Sequence, residues 1–497
     1  MIGSVLGLVN ISIHLAVYHK LEYHRDELLY FSLGMHPALG YNTVPPMIGW
    51  LASVMQLFFG YSLFAVKLFP ALFSGVFLYL CVVMTKELGG KLYAQFLTGF
   101  IILLMPFTLR TSHLFMPVFL DLFFWTFILY LCLKYLNTNQ DRYLLVIGAM
   151  AGLAMLNKYL IAILICCLLL ATLVTSLRFV WKKKPLYYGM VAGFLLFLPN
   201  IIWQVMHHFP VVQHMKELHD TQLVYVKPAE FLTDQLLMPF AGSLLMVPGL
   251  VYLVVKKQYR FLGITALLVT IAILLLRGKA YYTIGVMPLM IAAGAVVYER
   301  FLAHKAVRIA FMLLLLLISL PALPVGVPVW GKKGLVEFFR YPEQHYGITA
   351  GRRWEDGKIH TLPQDYADQL GWEEMTKLAF EAWQQIPDKK AAFIYGENYG
   401  EAGAISVIGK KYGLPEAISF NESFHYWIPK QFDPDIQSLV YINSGDMGDD
   451  VKELFADIRL IGRVSDPYAR EYGTYVYLCT QPRVSFNQFW KERIVRN

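Results

Sequence analysis

The feature that most constrains this chain is a series of long apolar segments over its first two-thirds. Each is long enough, or nearly so, to cross a ~30 Å hydrocarbon core as a helix that rises ~1.5 Å per residue. Hydrophobic residues make up 57% of the 497 residues and charged residues only 16%, against roughly 25% charged in soluble domains. The pattern predicts a polytopic α-helical membrane protein with about eleven spans, over 2–19, 62–84, 92–109, 114–136, 142–157, 159–177, 186–206, 232–255, 259–276, 282–298 and 307–325.

The distribution of lysine and arginine predicts an orientation. A cytoplasmic N-terminus would place the richer basic loops inside, as the positive-inside rule requires. An odd number of spans then puts everything after residue 328 on the extracytoplasmic side. The net charge of +8 is spread over these short loops, so it does not indicate nucleic-acid binding. The first segment lacks a basic n-region and an A-x-A-like cleavage site, which favours a retained helix over a cleaved signal peptide. The short apolar run 45–59 predicts a helix lying in the interface.

The composition changes after the last apolar segment, which predicts a transmembrane domain over 1–328 and a polar domain over 329–497. Strand-like runs at 391–395, 438–442, 458–464 and 474–480 alternate with helical patterns at 371–385 and 449–457. This alternation indicates a small α/β domain. Cys479 is the only cysteine in this domain, so no internal disulfide can stabilise it. The segment 396–403 follows a strand and is expected to open a helix, but its glycine spacing is not that of a dinucleotide site.

Three carboxylates are candidates for chemistry. Asp26 and Glu27 are adjacent and follow the first apolar segment, where a first extracytoplasmic loop is expected. Asp121 lies within a predicted span, and a carboxylate there costs on the order of 2.5–3.5 kcal/mol unless it faces a cavity or a cation. The competing interpretations are a solvated loop for the pair and a helix-packing hydrogen bond for Asp121.

A second group of candidates is basic and aromatic, and it lies at the predicted outer ends of helices. These positions oppose the positive-inside trend, and coordination of a phosphate at the interface would account for them. The alternative is that each long side chain reaches towards lipid headgroups. The candidate donor-phosphate ligands are Arg110, Lys158, Arg277, Lys279, Tyr281 and Tyr282.

Carboxylates beside a phosphate-binding basic set are typical of a transferase that uses a lipid-phosphate-linked donor. The acceptor hydroxyl needs a base, and the departing phosphate needs positive charge. The sequence requires no cofactor. His207, His208, His214 and Asp220 share one loop, but their spacing matches no recognised metal site, so a divalent metal has no support. Neither a P-loop nor a Gly-x-Ser-x-Gly motif is present.

The order of several loose motifs resembles the membrane-embedded C-superfamily (GT-C) glycosyltransferases, specifically the bacterial family 39-like group. That group is related to the protein O-mannosyltransferases and to the lipid A aminoarabinose transferase. The resemblance runs through nearly the whole chain and rests on 25–28 with 44–46, 119–125, 156–159, 198–204, 278–282, 371–375 and 398–403.

The resemblance implies inverting sugar transfer from a polyprenyl-phosphate donor to a lipid, glycan or protein acceptor outside a bacterial inner membrane. It implies that Asp26 is the base and that Asp121 is the family's second acidic position. One departure concerns the donor: Thr43 and Val44 are uncharged where many relatives carry a charged residue before the Pro-Pro pair.

Two other classes of protein compete with a glycosyltransferase. A transporter or lipid flippase also has many helices and intramembrane charge, but it should repeat its helix pattern between halves, and no such repeat is evident. A non-enzymatic assembly scaffold is the other alternative, but it gives the three candidate carboxylates no shared function.

Overall fold

The computed structural model describes residues 1–445 and 447–496, and most of them are helical. The helices of the first two-thirds are α1 (Ile2–Val17), α2 (Arg25–Leu33), α3 (Met47–Phe59), α4 (Leu63–Glu87), α5 (Leu92–Leu104), α6 (Pro106–Thr111), α7 (Pro117–Thr138), α8 (Arg142–Met155), α9 (Ile161–Leu173), α10 (Lys184–Met206), α11 (Pro210–Thr221), α12 (Pro228–Leu237), α13 (Ser243–Val255), α14 (Arg260–Leu275), α15 (Met287–Phe301), α16 (Lys305–Ser319) and α17 (Leu323–Gly326). The remaining elements are α18 (Gly331–Tyr346), α19 (Gln364–Ala367), α20 (Trp372–Gln384), β1 (Ala392–Gly396), α21 (Tyr399–Val407), β2 (Ser438–Asn443), α22 (Asp449–Leu454), β3 (Phe455–Arg463), β4 (Tyr475–Pro482) and α23 (Phe486–Arg496).

The chain forms two compact units. The first consists of Met1–Val17, Ala38–Met47 and Lys67–Val329. The second consists of Tyr18–Pro37, Ile48–Val66 and Trp330–Asn497. The segment that contains Asp26 and Glu27 therefore belongs to the second unit, while Asp121 belongs to the first.

The helices of the first unit are those of a multi-pass membrane protein. Within the described residues, five helices are long and apolar enough to cross a membrane, or seven if each of two sharply bent helix pairs counts as one span. Five further apolar helices are shorter, with 10–17 residues. The prediction of about eleven spans is therefore not confirmed in number.

A proline explains one difference between a predicted span and the observed helices. The predicted span 92–109 is divided at Met105, where α5 has ended and α6 begins with Pro106 at its first position. Proline has no N–H to donate inside a helix, but it fits a helical N-terminus well. The apolar pattern continues across this break, so the pattern alone predicts one helix.

Helices α13 and α15 pack without side chains between them. A Cβ atom on Gly249 would overlap the carbonyl oxygen of Met290, and one on Gly294 would overlap that of Leu245. Beyond this crossing, Arg300 near the end of α15 lies over the ring of Tyr252 near the end of α13, so the two helices run in the same direction. Small residues are what allow helix backbones in membranes to approach this closely.

The second unit contains the predicted α/β domain, which is confirmed as a small four-stranded sheet. The strand order is β1-β2-β4-β3, with β1 parallel to β2 and the other neighbours antiparallel. One face carries an aromatic core that includes Phe393, Tyr441, Phe486 and Trp490. The predicted helix over 449–457 is shorter than expected, because residues from Phe455 onwards pair with β4 instead.

The start of α21 is fixed by hydrogen bonds that the sequence encodes locally. The Asn398 side chain accepts hydrogen bonds from the backbone N–H groups of Gly400 and Glu401, and the Glu401 carboxylate accepts one from the backbone of Asn398. This reciprocal arrangement is a capping box. A Cβ on Gly403 would lie only 2.9 Å from Cβ of Leu28. The glycine therefore permits close packing of α21 against α2.

Candidate active site

Asp121 lies one turn inside α7 and is buried. Its Oδ1 accepts a hydrogen bond of 3.0 Å from the indole Nε1 of Trp125, one helical turn later. Its Oδ2 lies 3.9 Å from the Lys158 ammonium. A carboxylate among apolar helices needs such partners, because an isolated charge there is costly. Asp121 is thus stabilised by one neutral donor and one cation.

Lys158 lies in the turn between α8 and α9, and this turn is tied to the start of α7. The Asn157 side chain donates a hydrogen bond of 2.9 Å to the carbonyl oxygen of Pro117. The Lys158 ammonium lies 5.6 Å from the ring centre of Tyr281 and 5.4 Å from that of Tyr282. Its side chain retains 23% exposure, so an anionic ligand can still reach it.

The two tyrosines and Lys279 belong to the segment between α14 and α15. The tyrosine rings contact each other edge to face, with centres 4.7 Å apart, and the Lys279 ammonium is close enough to repel that of Lys158. The structure therefore brings together five of the predicted residues of the first unit: Asp121, Lys158, Lys279, Tyr281 and Tyr282. We call this group the phosphate cluster.

The two predicted arginines of the first unit have other partners. Arg110 donates a hydrogen bond of 3.1 Å to the carbonyl oxygen of Val325. Arg277 is exposed and donates one of 3.4 Å to the carbonyl oxygen of Val224. Both contacts are to backbone carbonyl groups, and they do not join either guanidinium to Asp121.

In the second unit, Glu27 and His24 fix the start of α2. The Glu27 carboxylate accepts a hydrogen bond of 2.8 Å from the backbone N–H of His24. The Nδ1 atom of His24 accepts one of 3.1 Å from the backbone N–H of Asp26. This is a second capping box, with histidine in place of the usual Ser, Thr, Asp or Asn. Glu27 is fully buried, which gives it an orienting role in this helix turn.

Asp26 is held by an aromatic hydroxyl. The Tyr399 hydroxyl donates a hydrogen bond of 2.8 Å to Oδ1 of Asp26, and the Arg25 guanidinium lies 4.5 Å from the centre of the same ring. Burial raises the pKa of Tyr399 well above its ordinary value, and the neighbouring Asp26 carboxylate raises it further. Tyr399 therefore stays protonated and donates to Asp26.

One cluster of the second unit has the residue types of a metal site. Ligand atoms of His24, Asp365 and Asp368 lie within 4.8 Å of one another, and the His24 Nε2 is 3.9 Å and 3.8 Å from the two carboxylates. However, Nδ1 of His24 accepts a backbone hydrogen bond, so the single hydrogen of the neutral ring must be on Nε2. A nitrogen that carries hydrogen cannot ligate a metal ion, and the residues present do not fit one.

Sequence reasoning missed two residues that hold the candidate carboxylates. Trp125 follows Asp121 by four positions, the spacing at which side chains meet on a helix, so its contact was readable. Tyr399 is separated from Asp26 by 373 positions, and no local pattern links them. The motif at 398–403 indicates that this region matters to the family resemblance, but it does not indicate that Tyr399 contacts Asp26.

Comparison with known proteins gives one family match and two similar folds. Residues 43–203 match the family model described as dolichyl-phosphate-mannose-protein mannosyltransferase. No curated protein sequence matches the chain. The fold is similar to that of ArnT from Cupriavidus metallidurans, crystallised with undecaprenyl phosphate, with a TM-score of 0.60, 15% identity, and coverage of 95% of this chain and 97% of that one.

A second solved structure also matches. It is the oligosaccharyltransferase of Archaeoglobus fulgidus tethered to an acceptor peptide, with a TM-score of 0.45, 13% identity, and coverage of 96% of this chain and 74% of that one. The matched segment and the ArnT-like fold confirm the resemblance of this chain to the membrane-embedded C-superfamily glycosyltransferases.

Proposed function

We propose that this protein is an inverting glycosyltransferase that moves a sugar from a polyprenyl-phosphate donor to an acceptor hydroxyl on the extracytoplasmic face of a bacterial inner membrane. The observation that carries the proposal is the Lys158 ammonium, partly exposed and held by Asp121 beside two tyrosines. An ammonium in that setting suits a phosphate oxygen, because charge-assisted hydrogen bonds are the strong ones. The undecaprenyl phosphate in the ArnT crystal supports the same class of donor.

In this proposal the phosphate cluster stabilises the leaving group. The bond between the anomeric carbon and the phosphate oxygen breaks, and negative charge grows on the phosphate. Lys158 and Lys279 offset that charge, and the hydroxyls of Tyr281 and Tyr282 donate to phosphate oxygens. Asp121 keeps the Lys158 ammonium in position. Arg110 and Arg277 attract the donor phosphate through their positive charge.

Asp26 is the proposed base. It takes the proton of the acceptor hydroxyl while that oxygen bonds to the anomeric carbon from the face opposite the phosphate. Polyprenyl phosphate departs in the same displacement, which inverts the anomeric centre. Tyr399 orients the Asp26 carboxylate, and Glu27 supports it by fixing the start of α2.

The proposal is tested by the binding of undecaprenyl phosphate to the full-length protein in detergent. Lys158→Gln removes one charge-assisted contact worth about 1.5–3 kcal/mol, so we expect binding to weaken by tens-fold. Lys134→Gln is the matched control, because Lys134 also has 23% exposure and also pairs with a carboxylate, that of Glu87, at 3.0 Å. Unchanged binding by Lys158→Gln, or equal loss in both variants, would contradict the phosphate cluster.

A transporter or lipid flippase is the second candidate, and the two bent helix pairs favour it. They bend by 106° and 91°, and broken helices line the substrate sites of many transporters. The two candidates differ in what happens to the donor. Cells that lack a glycosyltransferase accumulate the intact lipid-linked sugar outside, whereas loss of a flippase leaves it on the cytoplasmic side, where an added membrane-impermeant probe cannot reach it.

A further inference from the structure

Two cations converge on one tyrosine at the ends of α13 and α15. The Lys256 ammonium donates a hydrogen bond of 3.0 Å to the hydroxyl of Tyr252 and lies 5.3 Å from the centre of its ring. The Arg300 guanidinium lies 5.4 Å from the centre of the same ring. Two cations beside one ring make this end of the helices positively charged, and a nearby anion favours the charged form of both.

Within the described residues, no carboxylate lies within ion-pair distance of either cation. The acidic groups of this region are committed to other donors. Glu299 accepts hydrogen bonds from the backbone N–H groups of Lys91 and Ala94, and Glu87 pairs with Lys134 at 3.0 Å. The protein therefore supplies the positive charges and leaves the negative one to a ligand.

An apolar groove of about 600 Å³ is lined by Lys256 and Tyr252, and Arg300 reaches it through its contact with the Tyr252 ring. Three of its residues lie along α13 and are well exposed: Val247, Val251 and Val255. Val297 of α15 also lines the groove, together with Tyr252 and Lys256 near the end of α13. An alkyl chain fits such a surface, and a phosphate fits the end that carries Lys256 and Arg300.

Along α14, the groove and the phosphate cluster lie at opposite ends. Helix α14 begins at Arg260, just after Lys256, and ends at Leu275, just before Lys279. Its 16 residues extend about 24 Å at ~1.5 Å per residue, which approaches the thickness of the hydrocarbon core. A lipid bound here is therefore not the sugar donor held by Lys158.

We propose that this groove is a binding site for one anionic phospholipid, with an acyl chain along the valines and the phosphate against Lys256 and Arg300. Basic pockets between transmembrane helices are known to bind anionic headgroups. The site is independent of sugar transfer, and neither cation is part of the proposed catalytic machinery.

The test is native mass spectrometry of the delipidated full-length protein, titrated with phosphatidylglycerol or with phosphatidylcholine of the same acyl chains. We expect phosphatidylglycerol to bind more tightly. Lys256→Gln with Arg300→Gln should weaken it by about five-fold for each cation removed and leave phosphatidylcholine unchanged. Val251→Trp, at an exposed position that tolerates bulk, should fill the groove and weaken both lipids, and it tests the site even if the double variant fails to fold.

The control variant carries Lys182→Gln and Lys305→Gln, which remove the same net charge from exposed positions outside the groove. An equal loss with this control would show a general charge effect and overturn the proposal. Equal binding of the two phospholipids would overturn it as well. Displacement of phosphatidylglycerol by undecaprenyl phosphate, at equal concentration and only when Lys256 and Arg300 are present, would assign the groove to the carrier lipid instead.

Discussion

Two candidate carboxylates, one in each unit of the molecule, are held by different kinds of partner. Asp121 faces the Lys158 ammonium and accepts a hydrogen bond from an indole N–H. Asp26 accepts a hydrogen bond from a tyrosine hydroxyl that burial keeps protonated. One carboxylate has its charge balanced by a cation, whereas the other is oriented by a neutral hydroxyl.

The difference assigns different tasks to the same residue type. A carboxylate already paired with an ammonium contributes best by fixing that ammonium, since taking up a proton would leave the cation uncompensated. A carboxylate oriented by a neutral hydroxyl keeps a second oxygen for an incoming proton. We therefore expect Asp26 to act in proton transfer and Asp121 to act in binding.

The largest expected effect is that of removing the proposed base. Asp26→Asn keeps the size and polarity of the side chain but cannot accept the proton, a contribution typically worth about 10²–10⁴ in rate. Transfer should be lost in a membrane assay with lipid-linked donor, while undecaprenyl phosphate binding persists. Asp457→Asn is the control, because Asp457 also accepts a hydroxyl hydrogen bond, from Thr480 at 2.9 Å. Near-normal turnover by Asp26→Asn would show that Asp26 is not the base. Glu27 or Asp121 would become the next candidate, and the contrast between Asp26 and Asp121 would fail.

The pairing of Asp121 with Lys158 should be measurable as a coupling energy. A double-mutant cycle with Asp121→Asn and Lys158→Gln, read by thermal unfolding in detergent, should give about 0.5–3 kcal/mol. The reason is that either single variant leaves the other group among apolar helices without its partner. A cycle on Glu87 and Lys134 provides the comparator. Strict additivity for Asp121 and Lys158 would mean that the carboxylate does not hold the ammonium.

The smallest effect concerns the hydroxyl that orients Asp26. Tyr399→Phe deletes one hydrogen bond, which is worth about 0.5–1.5 kcal/mol net, so kcat should fall by about two- to twelve-fold with little change in KM for the donor. Tyr441→Phe removes a comparable hydroxyl, which donates to Glu397 at 3.1 Å, and should leave kcat unchanged. A rise in KM with constant kcat would instead assign Tyr399 to ligand binding.

Local patterns predict much of the fold. The apolar segments predict the membrane helices, and the alternation of strand and helix patterns predicts the small sheet domain. The capping box at Asn398 and Glu401 is readable from residue types three positions apart. The capping box at His24 is not, because histidine is an unusual N-cap residue. The break at Met105 can be predicted only if Pro106 is given more weight than the apolar pattern that continues across it.

The sequence predicts only part of the candidate site, because some of its contacts join residues that are far apart along the chain. The residues of the phosphate cluster could be proposed because Asp121 is a carboxylate within an apolar segment and the others lie at the ends of such segments. The partners of Asp26 could not, since Tyr399 is brought to it by the packing of α2 against α21 through Gly403. A single sequence records which residues are small, but it does not record which helix each small residue meets.

The contact between Gly249 and Gly294 has a mechanical consequence. Because no side chain separates α13 from α15 where these glycines meet, we expect the two helices to tilt together as one unit, here called the paired helices. Tyr281 and Tyr282 lie just before the start of α15 at one end of the paired helices. Lys256 and Arg300 lie at the other end. Helices adapt to a thinner bilayer by tilting. A tilt of α13 and α15 together would displace the residues at both of their ends. We therefore expect the position of the proposed phosphate-binding residues to depend on bilayer thickness.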